Sequence, residues 1–396
     1  MKKVKLLDVC DVYQPQTIPT KLFVPNGKYI VYGANGAIGR YDKYNHEDSE
    51  VLMACRGASC GAINVSQPYS WINGNAMVIR PNGAITINKK YLMYFLMSAN
   101  KNKIISGTAQ PQITRQNMKD FLISIVDIKE QERIVSLIDE LFSELDSGIE
   151  TLKKTKEQLR VYRQAVLKEA FEGRLSNNLK VTEKLEWIDE SNTAELPKIP
   201  KEWHYISLSK LGDLGRGKSK HRPRNDAILF ENGKYPFIQT GDVKAAKRFV
   251  TDYSKMYGEE GLKQSKLWPK GTLCITIAAN IAETAFLGIN ACFPDSIVGF
   301  TPNKYIISEY VKYFIESEKI RLWAFAPATA QKNINLDTLE KLIIPYCTIT
   351  EQRAIVDEIE TRMSVCDNIE NTVNFALKQA EALRQSILKE AFEGRL

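Results

Sequence analysis

The residues with the plainest chemical purpose are cations that share short stretches with amides and hydroxyls. Arg216, Lys218, Ser219, Lys220, His221, Arg222 and Arg224 stand in one segment, and Lys244, Lys247 and Arg248 follow it. An earlier segment places Arg40, Lys43 and Arg56 among Tyr41, Tyr44, Asn35 and Asn64. Lysine and arginine neutralise phosphates, whereas Arg, Asn and Gln offer paired donors and acceptors to guanine and adenine edges. The chemistry this suggests is recognition of a polyanion, and Arg216–Arg224 is its strongest candidate loop. Two further turns, Thr108-Ala109-Gln110 and Thr329-Ala330-Gln331, each put a hydroxyl and an amide on a loop. Such groups either contact DNA or brace their own loop.

Bond-making chemistry leaves no comparable mark. Ser66-Gln67-Pro68-Tyr69 is the nearest string to an adenine methyltransferase's Asn/Asp-Pro-Pro-aromatic loop, and it lacks the amide residue and the double proline in register. The chain has no GxxxxGK[ST] phosphate loop. The segment Gly33-Ala-Asn-Gly-Ala-Ile-Gly39 is GxxGxxG, a spacing that suits a tight turn between strands better than a phosphate cradle. Seven cysteines form no CxxC pair, and the three histidines are scattered at His46, His204 and His221. That pattern reads as free thiols in a reducing compartment and speaks against a zinc site. Asp8 and Asp11 break any signal-peptide core, no apolar run has the length of a membrane span, and the expected location is cytoplasmic.

Whatever positions the cations must do so twice, because the chain carries one long helical pattern twice. Glu130–Leu175 and Glu351–Leu396 align without a gap and share 20 of 46 residues, ending in the same word, LKEAFEGRL. Neither copy holds a proline, and each reaches a glycine, Gly173 or Gly394, suited to a left-handed helix end. An a/d seam of period 3.5 runs through Ile138, Leu141, Leu145, Leu152, Leu159, Tyr162 and Val166. Its partner runs through Ile359, Cys366, Ile369, Val373, Ala376, Ala380, Leu383 and Ile387. The spacing predicts a coiled coil, and an antiparallel pairing places Leu152 near Ala376 and Leu145 near Leu383. Two amphipathic helices in separate bundles are the plainer reading.

The remaining chain divides around these helices. Expected boundaries are 1–128 for a first mixed α/β module, 129–175 for a long helix, 176–200 for a polar linker, 201–349 for a second module and 350–396 for a second long helix. In the first module, strands are expected at Tyr29–Tyr32, Val51–Ala54, Ala76–Ile79 and Leu122–Val126, with a buried helix over Tyr91–Met97. Gly27-Lys28-Tyr29 is echoed by Gly233-Lys234-Tyr235, and Pro81-Asn82 by Pro302-Asn303, while the module interiors diverge. Net charge is +7. Residues 1–128 hold 15 Lys+Arg against 8 Asp+Glu and residues 201–349 hold 21 against 15, so both modules are basic and the rest is acidic. Two basic modules on an acidic helical frame suit a polyanion ligand.

This arrangement resembles the specificity (S) subunit of type I restriction-modification enzymes across essentially the whole chain. The residues that carry the resemblance are the repeated helices ending LKEAFEGRL, the Thr-Ala-Gln turns, and Lys234–Val243 (KYPFIQTGDV). The first module departs from the pattern in lacking counterparts of Leu196-Pro197…Trp203 and of Asp242. The resemblance implies an α+β fold: two target recognition domains separated by two long helices in an antiparallel coiled coil, with a pseudo-two-fold internal repeat. It also implies a chain that is not itself a catalyst. Such a subunit binds double-stranded DNA at a bipartite target, one half-site per module. It recruits two modification subunits that methylate adenine from S-adenosylmethionine, and restriction subunits that use ATP and Mg. No cofactor is expected on this chain and no membrane partner. The candidate DNA-binding residues are Arg40, Lys43, Arg56, Asn64, Thr108, Gln110, Arg216, Lys218, Ser219, Lys220, Arg222, Arg224, Gln239, Thr240, Lys244, Lys247, Thr329 and Gln331. Phe171 and Phe392 are candidate partner contacts, or else they close the ends of the coiled coil. A coiled-coil scaffold with two protein-binding modules is the alternative from another class, and a weak dependence of binding on salt would favour it.

Some 40 helical residues at ~1.5 Å rise span about 60 Å, and at ~3.4 Å per base pair that covers about 18 base pairs. The helices would then act as a ruler. Lengthening both by one heptad is expected to change the permitted gap in a methylation assay on spaced targets, and an unchanged gap would contradict the idea.

Overall fold

In the computed structural model the described residues are 2–107, 110–175, 196–278, 280–325 and 333–396. They form two compact units, Met1–Thr155 with Thr372–Leu396, and Lys156–Asn371. The two long helices, Ile128–Phe171 and Ile349–Glu393, each contribute to both units. Among the described residues no helix is long and apolar enough to cross a membrane.

The first unit grows from an apolar run. Val51–Ala54 (VLMA) is buried at all four positions, as a central strand covered on both faces must be. It pairs antiparallel with Ala76–Pro81 on one side and Ile63–Val65 on the other, and Cys10–Tyr13 completes a four-stranded sheet. Lys2–Lys5 pairs with Leu122–Ile125. A smaller sheet joins Gly36–Tyr41, Tyr29–Gly33 and Trp71–Ile72. The helix Lys89–Ser98 starts where the Asn88 side chain accepts from the Lys90 and Tyr91 amides, and it buries Tyr91, Leu92, Phe95 and Leu96.

The second unit repeats this frame in outline. Leu273–Thr276 lies between Ile297–Pro302 and Thr284–Leu287, Gly212–Arg216 closes one edge, and a fifth strand, Phe249–Val250, adds parallel to Thr284–Leu287. His204–Ser207 pairs with Ile343–Tyr346. A four-stranded sheet joins Lys255–Tyr257, Tyr235–Phe237, Ala291–Cys292 and Leu267–Trp268. Ser308–Ser317 is the counterpart of Lys89–Ser98.

A buried glutamine fixes the start of each long helix. The Gln131 Oε1 accepts from the Asn88 amide at 2.8 Å, and its Nε2 donates to the Thr86 and Val126 carbonyls at 3.1 and 2.9 Å. Gln352 does the same with the Ile307 amide at 3.0 Å and the Tyr305 and Cys347 carbonyls at 3.0 and 2.8 Å. Both side chains are 0% exposed, so every polar atom they leave unmatched would be costly. Nearby tyrosines tie the short helices to the edge sheets: Tyr91 donates to the Ser124 carbonyl at 2.8 Å and Tyr310 to the Pro345 carbonyl at 3.0 Å.

The helix ends dock crosswise in sequence. Phe392, from the second copy of LKEAFEGRL, packs edge-on to Tyr91 and Phe95 in the first unit. Phe171, from the first copy, packs the same way on Tyr310 and Phe314 in the second. Each helix then stops at a glycine with φ near +75°, Gly173 or Gly394, where other residues would be strained. Arg174 and Arg395 amides close the turns onto the Glu169 and Glu390 carbonyls, both at 2.9 Å.

Within each unit the long helices run antiparallel, but one row of the seam differs from the sequence reading. Ile359, Cys366, Val373, Ala380 and Ile387 are buried at strict seven-residue spacing. The second row falls four residues after each of these, not three, so Tyr162, Ile369 and Leu383 are 46%, 41% and 51% exposed. Leu383 therefore lies half outside the seam instead of buried in it. The row that replaces them, Met363, Glu370, Leu377, Arg384 and Ala391, mixes apolar and charged residues. Arg163 binds Asp367 and Glu370 at 2.7 and 3.0 Å in the second unit, and its counterpart Arg384 binds Asp146 and lies over the Phe142 ring at 4.5 Å in the first. Charged heads reach solvent while their stems cover apolar surface, which a hydrophobic count does not register.

Gln131→Ala strands one buried amide and two carbonyls. It is expected to lower the stability of the first unit by about 3 kcal/mol, seen as a lower denaturant midpoint for that unit. A loss below about 0.5 kcal/mol would show that the clamp is not needed.

Candidate nucleic-acid interface

The basic residues sit on loops at the sheet margins, and the geometry divides them into those that brace and those that remain open. In the first unit Arg40 ends a hairpin and turns back on it. Its Nε donates to the Gly27 carbonyl at 2.5 Å and an Nη to the Lys28 carbonyl at 2.9 Å. Lys43 is exposed and has no side-chain partner among the described residues. Arg56 is likewise exposed, in a turn completed by Gly57 at φ +82°, and its backbone bridges to Gln112. The Gly57 amide also binds the Pro111 carbonyl at 3.1 Å, so Arg56 and the exposed Gln110 share one edge. Asn64 lies within hydrogen-bond reach of Asn35 at 3.5 Å.

Between these cations lies an aromatic cluster whose extent the sequence did not disclose. Tyr44 packs edge-on against Tyr29 and Tyr69, and Tyr41 against Trp71. Tyr44 and Tyr69 stay 38% and 53% exposed, and Tyr69 holds a positive φ of 50°. Beside them His46 is buried, with Nδ1 2.7 Å from the Asn45 Oδ1 and Nε2 2.9 Å from the Tyr13 hydroxyl. Asn45 is oriented by the Ile72 amide and carbonyl, at 2.8 and 3.0 Å. Its oxygen therefore faces His46, so Nδ1 carries the proton and Tyr13 donates to Nε2. Burial holds the His46 pKa below its ordinary value. The signal that existed was the tyrosine density of YDKY.

In the second unit the Arg216–Arg224 loop is built by its own arginines. Arg216 Nε donates to the Asp295 carbonyl, and Arg224 pairs with the Asp295 carboxylate at 2.9 Å. Arg222 donates to the Ser219 and His221 carbonyls at 2.7 and 2.8 Å. The Gln264 Oε1 accepts from the Lys220 and His221 amides at 2.6 and 3.1 Å, and Ser219 is buried. The lysine heads are the open groups: neither Lys218 nor Lys220 has a side-chain partner among the described residues. Gln239 starts the short helix Thr240–Ala245, its amide bound to the Asp242 carboxylate at 2.7 Å, and with Thr240 it is half-buried. Lys244 reaches Asn280 at 3.4 Å, whereas Lys247 is exposed and open. Arg248 belongs elsewhere, bridging Glu309 at 3.4 Å and Glu360 at 2.9 Å. Thr108, Thr329 and Gln331 lie outside the described residues.

Phe171 is buried and Phe392 half-buried. Their rings are packed on Tyr310 and Phe314, and on Tyr91 and Phe95, inside their own units. They also share apolar clusters with the facing long helix, Phe171 with Ile355, Val356 and Ile359 and Phe392 with Ile134, Val135 and Ile138, so they join helix ends both to each other and to the globular modules.

Neutralising Lys43, Arg56, Lys218, Lys220 or Lys247 singly is expected to lower the slope of log K against log salt by about 0.9 each. Arg248→Ala is expected to leave that slope alone and to destabilise the second unit. Anisotropy titrations of a labelled duplex over roughly 50 to 200 mM salt, with denaturant melts, separate the two groups.

The family model for the type I restriction modification DNA specificity domain matches residues 1–159 and 200–379. The specificity subunit of the EcoBI type I restriction enzyme of Escherichia coli is 26% identical over 324 residues, covering 78% of this chain and 66% of the relative, just under two thirds. The EcoDI specificity subunit, also from Escherichia coli, is 25% identical over 409 residues, covering 94% and 83%. Among solved structures, a chain from work on complex assembly and conformational transition of the type I R-M system superposes with a TM-score of 0.73 at 18% identity, covering 100% of this chain and 98% of that one. The HsdS subunit from Thermoanaerobacter tengcongensis gives 0.54 at 17% identity, covering 100% and 97%. These two likenesses speak to fold. The matched stretches take in both copies of the repeated frame, and the chain belongs to the type I restriction-modification specificity (S) subunits, the non-catalytic DNA specificity subunits of those systems.

Proposed function

We propose that residues 1–128 and 201–349 are two target recognition domains, each reading one half of a bipartite, asymmetric double-stranded DNA target. The observation that carries this reading is one frame used twice with different margins. The glutamine clamps, tyrosine ties and phenylalanine docks repeat, while the loops that bear Lys43 and Arg56 in one unit and Lys218, Lys220 and Lys247 in the other do not. A repeated frame keeps two readers alike in placement, and divergent margins let each meet different bases.

Reading of this kind divides between backbone and bases. The open lysines hold phosphates, and this term is steeply weakened by salt. Asn64, Gln110, Gln239 and Thr240 present amides or hydroxyls at the same margins, where base edges are read. Tyr44 and Tyr69 offer flat faces for apolar contact with thymine methyl groups or sugar. Arg216, Arg222 and Arg224 hold the shape of the loop from which Lys218 and Lys220 extend. The chain itself transfers no group. Two modification subunits supply adenine methylation from S-adenosylmethionine, and restriction subunits supply ATP- and Mg-dependent translocation and cleavage. The solved chain with a TM-score of 0.73 comes from work on assembly of a type I R-M complex, which supports partnership of this kind.

Methylome sequencing of cells that express the chain with its modification subunit is expected to show a split adenine-methylated motif. Replacing Lys218 and Lys220 with alanine should weaken methylation of every copy of the motif. Replacing Arg216, Arg222 and Arg224, which shape the loop, should abolish or alter one half of the motif and spare the other. No split motif, with the modification subunit shown to be active on another specificity subunit, would contradict the proposal.

A further inference from the structure

The main sheets of the two units match strand for strand except at one edge. In the second unit the sheet has five strands, and the fifth, Phe249–Val250, lies parallel to Thr284–Leu287. Its carbonyls at Arg248 and Val250 accept from the Phe286 and Gly288 amides at 2.9 and 3.0 Å. In the first unit the equivalent of Thr284–Leu287 is Ile63–Val65, and it ends the sheet. The register is the same: the Ser66 amide binds the Glu50 carbonyl as the Leu287 amide binds the Thr272 carbonyl, both at 2.9 Å. Alternation along an antiparallel ladder then turns the Val65 amide and carbonyl outward, as those of Phe286 turn toward the fifth strand. Val65 is 40% exposed, and no described segment pairs with it there.

Beside this bare edge lies a cleft of about 780 Å³, floored by the helix Lys89–Ser98 and the long helices and wholly within the first unit. In the second unit the same floor is ionic. Glu309 and Glu360 meet Arg248, which precedes the fifth strand, and Lys312 pairs with Glu316 at 2.9 Å. In the first unit Met93 and Met97 stand where Lys312 and Glu316 stand, and the remaining charges are already matched. Lys90, the counterpart of Glu309, binds Asp139 at 2.7 Å, and Arg384 binds Asp146. Hydrogen bonds from Lys90 and Tyr94 outweigh burial and hold the Asp139 carboxyl below its usual range. The cleft therefore has backbone donors and acceptors and adaptable apolar walls to offer, but no unmet charge.

We propose that this groove takes an extended segment of a partner protein as the missing fifth strand, parallel to Ile63–Val65, with apolar or aromatic side chains directed onto Met93 and Met97. The chain's own second unit supplies the template for the occupant. Edge-strand addition lets main-chain hydrogen bonds give affinity and alternate side chains give selectivity. The proposal does not depend on the DNA reading, since the probes below contain no nucleic acid.

The test uses the full chain and two labelled peptides: residues 246–253 of this sequence (AKRFVTDY) and the same peptide carrying Arg248→Leu. Anisotropy is expected to show binding of both, with the leucine form at least threefold tighter because Lys90 stands where Glu309 receives Arg248. Val65→Pro in the chain removes the outward amide while sparing its own ladder, and is expected to weaken binding about tenfold. Val65→Ala should not. Met97→Glu, which installs the second unit's ionic character, should weaken the leucine form with no backbone change. Absence of binding at roughly millimolar peptide, or equal binding to the Val65→Pro and Met97→Glu chains, would overturn the proposal. Self-association of the chain that disappears with Val65→Pro would overturn it too, by assigning the groove to a second copy.

Discussion

The fold depends on how a long helix is made rigid against a small module. One buried side chain at each helix start does most of this. Gln131 and Gln352 each satisfy an amide and two carbonyls that would otherwise be orphaned where a strand, a turn and a helix meet. A glutamine suits the site because it carries an acceptor and two donors on a neutral head, so burial costs little once all are matched. At the far ends the anchor is aromatic, with Phe171 and Phe392 held edge-on against tyrosine and phenylalanine. Each module is thus gripped by the start of one long helix and the end of the other. This explains why the two helical stretches and the final LKEAFEGRL are so alike when module interiors are not: the interior strands need only fill a core, while the helix ends must fit a defined socket.

Much of this was legible in the sequence because it rests on periodicity and repetition. Val51–Ala54 reads as a strand from its apolar cluster between turns, and Gly173 and Gly394 read as helix ends from their place after LKEAFE. The row containing Ile359, Cys366, Val373, Ala380 and Ile387 follows from seven-residue spacing. The second row was hidden because Arg163, Arg384 and Glu370 cover apolar surface with their stems, and apolar counting assigned their place to Tyr162, Ile369 and Leu383. The roles of the basic residues were hidden for a related reason. Composition locates a cation, but only geometry tells whether it faces outward. Arg40, Arg216, Arg222 and Arg224 are bound to carbonyls or a carboxylate of their own units, as arginine's fork of donors favours. Apart from Arg56, lysine, with a compact head on a flexible stem, is what remains open.

The same comparison separates what duplication preserved from what each half acquired. The second unit completes its own sheet edge and places an ion network beneath it, whereas the first leaves an unpaired backbone edge and half-buried methionines at the matching place. An uncovered edge strand invites pairing with another chain, and a single short one beside a methionine-lined cleft is unlike the charged edges that discourage it. The asymmetry therefore sets the two recognition modules apart in what else they contact, although their frames are equivalent.

The central claim is that two equivalent modules read separate half-sites. Hydroxyl-radical footprinting of the assembled chain and its modification subunits on a target duplex tests this directly. The account predicts two protected patches with an accessible interval between them, and scrambling one half-site should erase its patch while leaving the other in place. One continuous patch, or loss of both patches when either half is scrambled, would contradict it.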